Sequence, residues 1–171
     1  MRFLLVALVL LAAACAQQPR EACDVTETNV IAFSAPDAHD VVTVRATGPS
    51  CDKAIALYAI RDAEGRPIWA WASSIKQAFG DVVDAKGAHL DEFLKRWSKP
   101  TITTTASVPD FSRLAPGQTT LDRLTYQDIR ARNLPMLCHF SGTAKETCIF
   151  WEPVAGAAGL LLERNYEESS R

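Results

Sequence analysis

The sequence predicts an α+β fold: a mainly antiparallel β-sheet of hairpins, two or three helices packed on it, and two disulfides. Three observations carry that reading. Short segments rich in β-branched and aromatic residues alternate with turn-forming residues. One stretch, Leu90, Phe93, Leu94 and Trp97, repeats its apolar residues at helical spacing. Four cysteines fall in two pairs, each symmetric about its own turn.

Val25 to Phe33 and Val41 to Ala46 read as strands, and Ser34 to Asp40 between them as a loop. Folding this hairpin about Asp37 leaves Cys23 and Cys51 equidistant from its centre, 37 − 23 = 51 − 37 = 14 residues on either side, so they meet at the open end. Ala54 to Arg61 and Pro67 to Ser73 form a second hairpin around Asp62 and Gly65, the residues a type I turn with a bulge requires. The implied register sets Ala59 against Trp69, Tyr58 against Ala70 and Leu57 against Trp71, and both faces of the hairpin are apolar, which predicts cover on both sides.

Ser74 to Gln77 reads as a capping box opening a short helix that buries Ile75, Ala78 and Phe79 and ends at Gly80. The Leu90 to Trp97 helix follows, acidic at its start (Asp91, Glu92), basic at its end (Lys95, Arg96), and stopped by Pro100. Ile102 to Val108 reads as a strand, Pro109 to Gln118 as a loop, and a helix starts near Thr120 or Thr125 and runs to Arg132. Met136 to Ser141 and Glu146 to Trp151, folded about Thr143, oppose Cys138 and Cys148; a last strand runs from Leu160 to Tyr166. Directly opposed strand residues lie within disulfide reach, so the predicted pairing is Cys23 with Cys51 and Cys138 with Cys148.

The first residues give an address. One positive charge at Arg2 precedes an apolar run from Phe3 to Ala14, then Gln17, Gln18 and Pro19, which is the layout of a signal peptide. A membrane-spanning helix needs about 20 apolar residues, and this run is shorter. Leu11, Ala12, Ala13 and Ala14 lead into Cys15 and resemble the lipobox of bacterial lipoproteins. The resemblance covers the leader only, and Ala12 stands where that pattern usually has leucine, which keeps ordinary secretory cleavage as the alternative. It implies acylation of Cys15 and a membrane anchor, and Ala16, in place of an aspartate, implies the outer membrane if the host has one. The fifth, odd cysteine is thereby explained. The predicted organisation is a signal peptide at 1–14, a lipidated tether at 15–22, one domain at 23–166 and a polar tail at 167–171.

After such cleavage 171 − 14 = 157 residues remain, with 18 − 1 = 17 Lys and Arg against 20 Asp and Glu, a net charge of −3. That balance argues against a nucleic-acid partner. No cofactor motif is present, and the absence of Cys-x-x-Cys together with scattered histidines predicts no metal site. Candidates for binding are Asp37, His39 and Asp40 on the first hairpin loop and Trp151 at a strand end; Trp69, Trp71 and Trp97 fall on apolar stripes and read as core. His139 reads as a hydrogen-bonded structural histidine. Ser73 to Lys76 matches the Ser-x-x-Lys of penicillin-binding proteins and serine β-lactamases, but the partner motifs are missing and helix capping accounts for the match. Ser141 to Lys145 resembles the Ser-Gly loop of bacterial lipoprotein inhibitors of lysozyme. The expectation is a cell-envelope lipoprotein facing the periplasm, with a non-catalytic binding or structural role toward a protein, glycan or lipid partner. The alternative is a periplasmic enzyme or enzyme inhibitor, in which Asp37, His39 or Ser141 converge in one cleft.

Overall fold

The computed structural model describes residues 22–80, 87 and 89–165. The leader, Cys15, the tether up to residue 21, Tyr166 and the polar tail lie outside the described residues. The fold is α+β with two four-stranded antiparallel sheets, each in simple sequence order. Strands β1 (Cys23–Ile31), β2 (Asp40–Gly48), β3 (Ile55–Arg61) and β4 (Pro67–Ser74) make the first sheet. Strands β5 (Thr101–Thr104), β6 (Pro135–Gly142), β7 (Lys145–Glu152) and β8 (Ala157–Asn165) make the second. Helices α1 (Ile75–Phe79) and α2 (Leu90–Trp97) come between the sheets in sequence, and α3 (Arg123–Ala131) between β5 and β6. No helix among the described residues is long and apolar enough to cross a membrane.

In the first sheet the side chains alternate as a half-buried sheet demands. Val42, Val44 and Ala46 of β2 point inward and are fully buried, while Arg45 between them is exposed. Both predicted disulfides are present. The first hairpin nevertheless pairs differently from the symmetric folding about Asp37: Cys23 stands opposite Gly48, not Cys51. A 3₁₀ turn at Cys51–Lys53 carries the chain back past the end of β2, so Cys51 meets Cys23 with a Cα separation of 4.9 Å. The return is tight, because a Cβ at Gly48 would lie 2.7 Å from the Cα of Ala54. In the second sheet Cys138 and Cys148 are directly opposed, as folding about Thr143 predicts, with a Cα separation of 4.1 Å.

The β3–β4 register departs from expectation by one residue. Arg61 pairs with Pro67 as predicted, but a bulge between Ile60 and Arg61 then sets Ile60 against Trp69, Ala59 against Ala70, Tyr58 against Trp71 and Leu57 against Ala72. The turn itself is the expected one: the Asp62 carboxylate accepts from Arg66 N at 2.7 Å and Arg66 Nε at 2.6 Å, and Gly65 takes φ 79°. The bulge lets the consecutive residues Ile68 and Trp69 both pack on the inner core, which an unbroken strand forbids. Two-sided cover of this hairpin is not observed either. Ala56, Tyr58 and Ile60 are fully buried, whereas Ile55 is 49% exposed and Ala70 and Ala72 are exposed. The helices α1 and α2 and the second sheet all pack on the inner face.

The second sheet is covered on both faces. Leu137 and Ile149 join the core of the first sheet and helices α1 and α2. Met136, Cys138, Cys148, Phe150, Leu161 and Leu162 pack on the other side with Val108, Tyr126, Ile129 and Leu134. Helix α2 buries Leu90, Leu94 and Trp97 as its stripe predicts. Helix α3 begins between the two predicted starts, because Asp122 caps it, accepting from Leu124 N at 2.9 Å and Thr125 N at 3.0 Å. The strand predicted to Val108 ends at Thr104, since Thr105 turns inward and its hydroxyl both donates to Ile129 O (2.7 Å) and accepts from Leu134 N (2.9 Å).

Candidate functional site

The inner faces of the two sheets meet through aromatic rings. Tyr58 from β3 stacks on His139 from β6 with ring centres 4.1 Å apart and planes 11° apart. Trp71 meets Trp97 edge-on at 5.7 Å, and Phe79 meets Trp97 at 5.3 Å and Phe93 at 4.8 Å. Offset and edge-on contacts of this kind stabilise beyond the area they bury. Trp97 Nε1 donates to Phe140 O at 2.8 Å, tying α2 to the second sheet.

His139 is 2% exposed, and its two ring nitrogens are both engaged. Trp69 Nε1 lies 3.3 Å from Nε2, and Nδ1 lies 2.9 Å from Phe140 O. The indole can only donate, so Nε2 accepts and Nδ1 carries the proton toward the carbonyl. Burial pushes the imidazole down to about 4, against the Phe140 carbonyl and the Glu163 charge, which act the other way. The same burial pushes the Tyr58 phenol well above its ordinary range. This is the hydrogen-bonded structural histidine that the sequence predicts.

Beside this cluster, between α1, α2 and the β6–β7 turn, lies an open cleft of about 230 Å³ lined by Phe79, Phe93, Arg96, Trp97, Phe140, Gly142 and Thr143. Each wall follows from local sequence. Phe79 is the last residue of α1, which Gly80 caps with φ 61°; Phe93 and Trp97 sit one turn apart on α2 and stack at 5.6 Å. Phe140 leads into the bulged end of β6. Thr143 N donates to Ala78 O at 3.0 Å and holds the β6–β7 turn against α1. A Cβ at Gly142 would press on Ala78 O and Lys145 Cβ, each at 3.3 Å, so glycine suits this close approach. Arg96 is the one charged residue of the lining, and among the described residues it makes no ion pair.

Two other clefts lie along the 115–118 loop and β8. They are more polar, and two of their three cations, Lys145 and Arg164, are bound to Glu163 at 2.6 Å and Glu146 at 3.0 Å, while the third, Arg113, lines the cleft beside Arg164.

The residues singled out from sequence are dispersed in character. Asp40 is 1% exposed and its carboxylate accepts from Phe33 N (3.0 Å), Ser34 N (2.6 Å) and Ser34 Oγ (2.9 Å), so it fastens the first hairpin loop. Asp37 and His39 are exposed on that loop. Trp151 is half-buried and packs partly on the inner core beside Ala158. Ser141 lies within β6 with its hydroxyl buried, so the Ser-Gly segment does not present a serine to solvent. Among the described residues no hydrogen bond joins Asp37, His39 and Ser141. The one grouping of metal-ligating residue types among them is Cys138, Glu146 and Cys148, whose sulfurs are bonded to each other and whose carboxylate is bound to Arg164.

Sequence reasoning missed the cleft because its walls come from three separate segments. The available signal was an excess of aromatics on one helix, Phe93 with Trp97, beyond what one buried stripe needs. No protein-family model, no curated protein and no solved structure matches the chain.

Proposed function

We propose that the chain is a cell-envelope lipoprotein, anchored through Cys15, whose domain is a non-catalytic binding module with the aromatic cleft between α1, α2 and the β6–β7 turn as its site. The observation that carries the binding reading is the contrast between the polar groups and the cleft. Asp40, His139 and the Ser141 hydroxyl are buried, with the Asp40 carboxylate and the His139 ring fully engaged, whereas the cleft offers aromatic surface and a cation, Arg96, with no ion pair among the described residues. Concave, mostly apolar sites with a few polar groups are where small ligands bind. The anchor reading rests on the leader and the odd cysteine. The tether from Cys15 to Cys23 has 23 − 15 = 8 steps, at most about 28 Å of chain. That length keeps the pole bearing Cys23 and Cys51 close to the bilayer, and α1 lies at this same pole, since Ile75 N donates to Ala54 O at 3.0 Å.

Expression of the full chain in a bacterial host with labelled palmitate tests the anchor: wild type takes up label and Cys15→Ser does not. Unlabelled wild type, or labelled Cys15→Ser, overturns it. Turnover of peptidoglycan or esters by the purified domain, abolished by His39→Ala or Ser141→Ala, would replace the binding reading with an enzymatic one.

A further inference from the structure

We infer that the cleft takes a small anionic amphiphile: a hydrocarbon body of about seven carbons seated among Phe79, Phe93, Trp97 and Phe140, with one carboxylate at the rim on Arg96. The inference rests on the cleft being the binding site. Size, polarity and charge each narrow the ligand. An apolar cavity of about 150 Å³ accommodates a benzene ring, so about 230 Å³ in proportion accommodates about nine non-hydrogen atoms. Four of the seven lining residues are aromatic, which fits a hydrocarbon chain and disfavours a sugar or a peptide backbone, whose polar groups would find few partners there.

The charge at the rim has one sign. Among the described residues Arg96 is the only ionic one of the lining, and no carboxylate among them neutralises it. A guanidinium pairs with a carboxylate through two parallel N–H donors, a geometry a neutral hydroxyl does not offer. A cationic amphiphile would meet Arg96 with like charge, and a neutral one would leave it unused. The cleft also lies at the pole that the tether holds toward the bilayer, where such amphiphiles partition.

The test uses the purified domain of the mature chain with both disulfides formed, titrated with octanoate, octanol and octylamine into the millimolar range. The readouts are Trp97 fluorescence and the Trp97 indole N–H resonance. Octanoate should bind and shift both signals, octanol should bind at least tenfold more weakly, and octylamine should not bind. Arg96→Gln should weaken octanoate about tenfold and leave octanol unchanged, and Phe93→Ala should weaken both. Arg96 is exposed, so its replacement leaves folding intact, and a thermal melt verifies it. Equal binding of octanoate and octanol, unaltered by Arg96→Gln, overturns the anionic ligand while preserving the cleft as an apolar site. Failure of all three probes to bind wild type overturns the cleft itself.

Discussion

The two sheets share one construction, four antiparallel strands in sequence order, and differ in what covers them. The first has one covered face, and its strands alternate: β1 exposes Asp24, Thr26, Thr28 and Val30 and turns the residues between them inward. The second is covered on both faces, by the first sheet and by the α3 layer, and its central strands are buried almost continuously from Met136 to His139 and from Glu146 to Phe150. Two-sided cover makes the second sheet the stiffer half. One-sided cover leaves the first sheet an open outer face on which single residues carry little energy. The cleft sits where helix α2, attached to the first sheet, meets the end of β6 in the second.

The largest effect should come from the joint itself. Trp97→Ala removes ring contacts to Tyr58, Trp71, Phe79 and Phe93 and the hydrogen bond to Phe140 O. A loss of about 3 to 5 kcal/mol in urea unfolding is expected for a buried aromatic of this size. A loss under about 1 kcal/mol would mean that the sheets do not depend on this contact.

The disulfides come next. Replacing Cys23 and Cys51 together with alanine should cost about 3.5 kcal/mol, and replacing Cys138 and Cys148 about 3 kcal/mol, because loop entropy grows slowly with separations of 28 and 10 residues. The second pair lies within the two-sided core, so any excess over the loop estimate should fall there. Chemical denaturation of the two double variants checks the order.

Acid should act on the interface between the sheets. His139 titrates near 4 when folded and near 6.5 when unfolded, so the unfolded chain takes up the proton first. Stability from this group is complete above pH about 6.5 and falls progressively toward pH about 4, by about 3 kcal/mol in all. The difference between wild type and His139→Gln, measured from pH 7.5 to 4, isolates it. A difference that does not change with pH would show that His139 is protonated without cost, contradicting its closed environment.

Much of this layout was legible in the sequence, and the failures have physical causes. The α2 stripe was readable because four apolar residues one turn apart leave a single inward face. The disulfide partners were readable, but the β1–β2 register was not, since symmetry about Asp37 could not anticipate the 3₁₀ turn that returns Cys51 by three residues. The β3–β4 bulge has no glycine to announce it; the need to bury both Ile68 and Trp69 creates it. Two apolar faces on that hairpin could not say which would be covered, because cover depends on where the helices land. Asp40 looked like a loop acid available for binding and proved to be the loop's own fastening. The cleft was hidden because Phe79, Phe93 and Phe140 become neighbours only through tertiary packing.

The smallest effects belong to the open face. Leu57→Ala should cost under about 1 kcal/mol, as half-exposed sheet positions lose little transfer energy. Asp24→Asn breaks the exposed pair with Arg45 (2.8 Å) and should leave the melting temperature unchanged within error. A clear fall in either variant would reveal that something covers this face in solution.

Native-state hydrogen exchange resolved by strand tests the difference between the sheets most directly. Amides of β6 and β7 should exchange only through global unfolding, with protection equal to the full stability, while those of β2 and β3, also central in their sheet, should exchange through smaller openings and earlier. Equal protection in the two pairs, or slower exchange in β2 and β3, would contradict the assignment of the second sheet as the rigid half.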